Sequence, residues 1–114
     1  MAKFNLNSLS TFNIAGERVD ESSYYWVKNN LPSTTLLNDN YWETESGWPI
    51  STNFGNLHRF STKAGSSCKP NIGFKVEILD QSTFKPLPIN KLGIIAMKLP
   101  LPPCSSHTIY NDEQ

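Results

Sequence analysis

The sequence has no surplus of charge of either sign: ten Lys and Arg offset ten Asp and Glu, for a formal net charge of 0. No net field exists to draw in a polyanion or an acidic lipid surface, so nucleic-acid binding by charge alone is excluded. Cysteine is scarce. Cys68 and Cys104 stand far apart, with no Cys-x-x-Cys and no histidine pair at ligand spacing. That excludes zinc-finger and thioredoxin-type motifs and predicts reduced, passive thiols. Long apolar runs are missing too. The longest is Leu92 to Met97, against the roughly 20 residues that a membrane-spanning helix needs. The opening Met1-Ala-Lys-Phe-Asn-Leu-Asn7 carries neither an apolar signal core nor an Arg-rich transit pattern, and none of the asparagines begins an Asn-x-Ser/Thr acceptor. These absences predict an intracellular protein without a membrane span. Hydrophobic residues make up only 38% of the 114 positions, so the predicted core of this one small domain is thin.

What is present reads in order along the chain. Phe12-Asn-Ile-Ala15 is a short apolar stretch ending at Gly16, where a backbone without a β-carbon turns freely, and it is predicted as a buried strand. Asp20 offers a helix N-cap oxygen, Glu21 puts negative charge in the first turn, and Tyr24, Val27 and Leu31 recur on one face until Pro32 stops the helix. Thr34 to Leu37 returns to β-branched and apolar residues. Strand, helix, strand predicts a βαβ unit with parallel strands and a right-handed crossover. Residues 51–72 show no period and read as loop. Phe74, Val76 and Ile78 then alternate with charge, and Leu92 to Leu99 follows a connection punctuated by Pro86 and Pro88, which fits two antiparallel strands of a separate small sheet. The predicted fold class is therefore α/β, divided at 1–50, 51–72 and 73–114. Trp26 and Trp48 are expected to pack, and the isolated His58 and His107 to be solvated or hydrogen-bonded.

In a βαβ unit two loops leave the carboxyl ends of the strands, here Gly16-Glu17-Arg18 and Asp39 to Gly47. Ligands of open α/β sheets bind at such ends. The second loop, Asp39-Asn-Tyr-Trp-Glu-Thr-Glu-Ser-Gly47, offers aromatics with a few polar groups, the usual make-up of a small-molecule site. A hydroxyl beside a carboxylate can donate to a phosphate oxygen while the carboxylate holds Mg²⁺. The residue types alone leave a second reading open, in which the aromatics are core and the carboxylates are solvated.

The string Tyr41-Trp-Glu-Thr-Glu-Ser-Gly-Trp-Pro-Ile50 resembles the Tyr/Trp-Trp-Gln-Thr-Glu-Thr-Gly signature of AMP-forming short-chain acyl-CoA synthetases, the acetyl- and propionyl-CoA synthetases of the adenylate-forming superfamily. Three further stretches are similar to that family in the same order: Ile14-Ala-Gly-Glu-Arg18, Phe60 to Pro70, and Leu92 to Pro103. The resemblance places this chain at the end of the large N-terminal domain, with 1–50 as its nucleotide-site segment. It implies that Gly16, Glu17 and Arg18 border the adenine, and that Asp39, Asn40 and Tyr41 line the nucleotide from the other side. Thr44 would hydrogen-bond the α-phosphate, Glu45 would ligate Mg²⁺, and the Trp42 indole would close the acyl pocket to all but short acids such as acetate or propionate. Implied ligands are ATP or AMP, Mg²⁺, a small carboxylate and coenzyme A. The implied location is the cytoplasm or mitochondrial matrix.

Departures from the pattern are specific. Glu43 stands where the family has Gln, adding negative charge beside a triphosphate. Cys68 replaces a Gly, Asn13 interrupts an apolar strand, and Ile89-Asn-Lys91 replaces a Gly-Glu pair. The family's phosphate loop, its Thr-Gly-Asp ribose segment and its adenylation lysine have no counterpart in these residues. Two functions follow: a segment of an acyl-CoA synthetase contributing one wall of the adenylate site, or a truncated, catalytically inactive relative acting as a nucleotide-binding or protein-interaction module. Either leaves apolar surface that predicts self-association.

Overall fold

A computed structural model describes residues 4–55, 57–106, 108, 110 and 111. His107 and residues 1–3, read above, lie outside the described residues. Strand β1 (Thr11–Ile14) leads through Gly16, whose φ of 110° suits glycine, to helix α1 (Glu21–Asn29) and strand β2 (Leu36–Asp39). The Asp20 carboxylate accepts the Ser23 N–H at 3.0 Å and the Ser22 hydroxyl, so the expected cap forms. The helix ends three residues before Pro32, because the Asn30 amide donates to the Trp26 carbonyl at 2.8 Å and closes the last turn locally. Tyr24 is buried on the inner face, with Val27 and Leu31 half-buried beside it. Trp26, two positions on from Tyr24, points the other way and is exposed, and Trp48 is exposed as well; neither packs as expected.

The second strand starts two residues later than its β-branched pattern suggests. Thr35 is still in the turn after the helix: its N–H donates to the Pro32 carbonyl at 2.9 Å and its hydroxyl to the Leu9 carbonyl at 2.7 Å. β1 and β2 pair in parallel, with Thr11 opposite Leu36 and Ile14 opposite Asp39. Phe12, expected to be buried, is exposed, since this pair has only two strands.

Residues 51–72 are not all loop. β3 (Ser51–Thr52) pairs antiparallel with β4 (Lys69–Pro70), and Tyr41 bridges to Ser51. Strands of two residues are too short to show a period of two, which is why the sequence concealed them. β5 (Val76–Leu79) pairs antiparallel with β6 (Ile94–Met97), Ile78 opposite Ile95. The described residues thus form a small α/β structure with one parallel and two antiparallel strand pairs.

What ties the β1–β2 pair to the β3–β4 pair is polar. Asn38, 4% exposed on β2, accepts the Asn53 N–H at 3.0 Å, while its amide nitrogen lies within 2.9–3.3 Å of Asn13, Asn40, Thr52 and the Asn53 carbonyl. Asn53 in turn holds Phe60 through both backbone groups at 2.8 and 3.1 Å. Asn13, which interrupts the apolar pattern of β1, is therefore a partner in this cluster. Among the described residues the buried hydrophobic side chains are Tyr24, Leu37, Ile50 and Phe74 alone. The accessible surface is 9150 Å², where a compact monomer of this mass exposes about 6300 Å².

Two outcomes follow. Asn38→Leu keeps the shape but leaves the Asn53 N–H without its acceptor, and should lower stability by about 1–3 kcal/mol in urea denaturation; an unchanged midpoint contradicts the role of the cluster. The hydrogen bonds from Ser22 and Ser23 hold the Asp20 carboxyl well below its ordinary 3.8. A depressed folded value means that the cap contribution is complete above pH 3.8 and is lost as acid carries the group through its lower folded value. Helix content followed by circular dichroism should fall over that acid range, and Asp20→Asn should flatten the dependence.

Candidate functional site

The register of the parallel pair sets the site. With Ile14 opposite Asp39, and the Asn40 N–H donating to the Ile14 carbonyl at 2.9 Å, the chain leaves both strands at the same level. The two following loops emerge side by side. Gly16, Glu17 and Arg18 from one, and Asp39, Asn40, Tyr41 and Trp42 from the other, line one cavity of about 620 Å³. Arg18 crosses it on one side: its guanidinium lies 3.8 Å from the space a β-carbon on Gly65 would fill.

Thr44 and Glu45 do not line this cavity. They occupy the 3-10 turn Thr44–Ser46 just beyond Trp42, with both side chains exposed. Ser46 is buried and accepts the Glu43 N–H at 3.1 Å, and its hydroxyl proton can reach the Glu43 or Trp48 carbonyl. Glu43 itself is engaged: the Tyr41 hydroxyl donates to its carboxylate at 2.6 Å. This bond, with burial and the nearby negative charge adding to it, pushes the Tyr41 phenol up to about 12. Tyr41 therefore stays a neutral donor, and the extra charge of Glu43 has a partner within its own loop. Burial alone raises the Asp39 carboxyl above its ordinary value, as it does the Cys68 thiol, which Lys69 pulls back. Both cysteines are free. Cys68 has a φ of 70°, the left-handed backbone that suits the glycine it replaces.

The remaining lining residues were not among the candidate site residues read from the sequence. Ile50, Ser51, Gly65, Ser67 and Pro70 contribute from the middle of the chain, and Val76, Ile78 and Ile95 from the β5–β6 pair. The alternation of Val76 and Ile78 marks one face of β5, and the pairing of Ile78 with Ile95 adds β6 to it. That signal was legible, but its destination was not, because no pattern says which face of a hairpin meets a distant loop. The cavity thus combines charged and hydrogen-bonding groups with aromatic and branched apolar side chains in one lining. Such a hollow can hold a flat, partly apolar ligand and fix its polar edge. Among the described residues no helix is long and apolar enough to cross a membrane.

Comparison with known proteins gives the fold and the lineage. No protein-family model matches the chain. It is similar to the propionate–CoA ligase of Escherichia coli K12, at 39% identity over 97% of the chain and 17% of that ligase. It is also similar to the human mitochondrial acyl-CoA synthetase short-chain family member 3, at 34% identity over 98% of the chain and 16% of that protein. In three dimensions it superposes on an anthranilate CoA ligase crystallised with anthranoyl-AMP, with a TM-score of 0.71 at 20% identity, covering 91% of the chain and 18% of that ligase. The chain spans about a sixth of the length of the curated relatives it matches. Over nearly all its residues the chain is thus homologous to one segment of the short-chain acyl-CoA synthetases.

Proposed function

We propose that the chain forms one wall of the adenylate site in an ATP-dependent, AMP-forming short-chain acyl-CoA ligase. The observation that carries this reading is the convergence of Gly16–Arg18 and Asp39–Trp42 on a single cavity. In it the backbone at Gly16 and the side chains of Glu17 and Arg18 border the adenine. Asp39, Asn40 and Tyr41 line the nucleotide opposite, and the Trp42 indole limits the acyl group to acetate or propionate size. Thr44 and Glu45, exposed just outside the cavity, suit the charged end of the nucleotide: the Thr44 hydroxyl donates to the α-phosphate and the Glu45 carboxylate ligates Mg²⁺.

The donor fits that ion: the exposed Glu45 carboxylate next to the Thr44 hydroxyl offers hard oxygen, and Mg²⁺ is commonly held by one or two carboxylates together with substrate phosphates. Bound so, Mg²⁺ supplies charge neutralisation on the phosphates. The rest is positioning, in which the two loops keep the carboxylate substrate and α-phosphate in line for adenylate formation and pyrophosphate departure. Coenzyme A enters in the thiolysis that follows.

In this reading residues 1–50 are the nucleotide-site segment, a right-handed βαβ unit of the larger domain's mostly parallel sheet. Residues 51–72 are the connection and 73–114 a β segment. The surface beyond that of a compact monomer is the face that meets the remainder of such an enzyme, or a second copy when the chain stands alone. The mitochondrial relative fits an intracellular location, in the cytoplasm or mitochondrial matrix.

Calorimetry with the chain tests the assignment. AMP should bind weakly, on the order of millimolar, and Arg18→Ala should weaken it about fivefold by removing a charge-assisted contact. Glu45→Ala should leave AMP binding in place and abolish its Mg²⁺ dependence. AMP binding indifferent to Arg18→Ala, with magnesium coupling intact in Glu45→Ala, contradicts the proposal. Pyrophosphate release from ATP and propionate by this chain should stay at the buffer blank.

A further inference from the structure

The turn that carries Thr44 and Glu45 is held from a distant part of the chain. The Ser106 N–H donates to the Glu45 carbonyl at 2.7 Å, and the Ser105 hydroxyl reaches the Ser46 carbonyl, 59 positions away, at 3.4 Å. Ser46 and Ser105 are both buried, at 3% and 4% exposure. Gly47, with a φ of 72°, lies against the same segment so closely that a β-carbon there would collide with the Cys104 carbonyl oxygen. The other end of the segment is seated as well. Pro102 is buried, and a β-carbon on Gly73 would come within 3.1–3.2 Å of its ring. The Ser105 N–H donates to the Pro102 carbonyl at 3.3 Å, closing residues 102–105 into a turn.

A three-residue 3-10 turn has little stability of its own. Its internal bonds are Ser46 N–H to the Glu43 carbonyl at 3.0 Å and Gly47 N–H to the Thr44 carbonyl at 3.4 Å, and 3-10 bond geometry is weaker than that of an α-helix. Side chains that must meet a phosphate and its cation need a fixed backbone, because small displacements of a positioning group are felt strongly. From these contacts we infer that Pro102–Ser106 is a clasp that positions the Thr44–Glu45 turn for a magnesium-bound nucleoside triphosphate, with Ser105 and Ser106 as positioning residues. It rests on the roles proposed above for Thr44 and Glu45. The clasp acts on the backbone of the turn and leaves the adenine-facing loops alone.

The test is calorimetric titration of the chain with AMP, and with ATP in the presence and absence of Mg²⁺. Ser106→Pro removes the N–H that reaches Glu45, Gly47→Ala drives a methyl against the Cys104 carbonyl, and Ser105→Ala deletes the buried hydroxyl while sparing the backbone. Thr35→Val is the control, since it loses a hydrogen bond to the Leu9 carbonyl at the opposite end of β2. The gain in ATP affinity from Mg²⁺ should fall about fivefold or more in Ser106→Pro and Gly47→Ala, and about twofold in Ser105→Ala, the range of one to two lost hydrogen bonds. AMP affinity without Mg²⁺ should stay within about twofold of the parent in all of them, and Thr35→Val should keep the full magnesium gain even where its Tm falls. Should Ser106→Pro or Gly47→Ala not fold, Ser105→Ala decides. The clasp is overturned if the gain survives in the variants that fold, if Thr35→Val loses it equally, or if the parent binds AMP but gains nothing from Mg²⁺. A parent chain that binds no AMP overturns the adenylate-site reading, and the clasp with it.

Discussion

The amide of Asn38 is the constraint on which the rest of the structure depends. It sits on β2, and within hydrogen-bonding reach of it lie β1 through Asn13, the following loop through Asn40, β3 through Thr52 and the next segment through Asn53. An amide nitrogen has two protons, so four acceptors at this range share them. A protein with four buried hydrophobic side chains among its described residues has little apolar packing with which to align the β1–β2 pair with the β3–β4 pair. Buried amides do it by direction, because each bond has a preferred geometry and an unpaired partner is costly once removed from water.

The candidate site is built on that alignment at one remove. Asn38 is followed by Asp39 to Trp42, so the residue that locks the sheet also sets where the second loop starts. The parallel register then places Gly16, Glu17 and Arg18 beside it. Within the loop the Tyr41 hydroxyl donates to the Glu43 carboxylate, so this departure from the family's usual Gln is hydrogen-bonded inside its own loop. The second loop is thus fixed from its start by asparagines and from within by a phenol. Val76, Ile78 and Ile95, which also line the cavity, belong to the β5–β6 hairpin, outside the asparagine cluster. The large exposed surface shows how little of the protein is core.

Much of this was legible in the residues. Asp20 with Glu21 and the Tyr24 spacing marked the helix and its first residue, because capping is local chemistry. The alternation through Val76 and Ile78 marked β5, and the order of elements brought Gly16–Arg18 and Asp39–Trp42 into one neighbourhood. Less legible was anything that depends on partners far along the chain. Asn13 reads as a break in a strand until Asn38 and Asn40 are seen around it. Ser51–Thr52 and Lys69–Pro70 are too short to carry a period. Thr34 and Thr35 have the composition of a strand, yet the Pro32 turn and the Leu9 carbonyl claim Thr35. Thr44 and Glu45 read as one site with Tyr41 and Trp42, although the 3-10 turn carries them past the rim of the cavity.

The central claim is that one cavity between the two loops receives the adenine of an adenylate, and nuclear Overhauser contacts between AMP and the isotopically labelled chain test it most directly. The account predicts contacts from the adenine H2 and H8 protons to Gly16, Arg18 and Tyr41, with the ribose protons near Asp39 and Asn40. Contacts confined instead to Thr11, Pro49 and Asn71, which line a separate hollow beside the asparagine cluster, would contradict it.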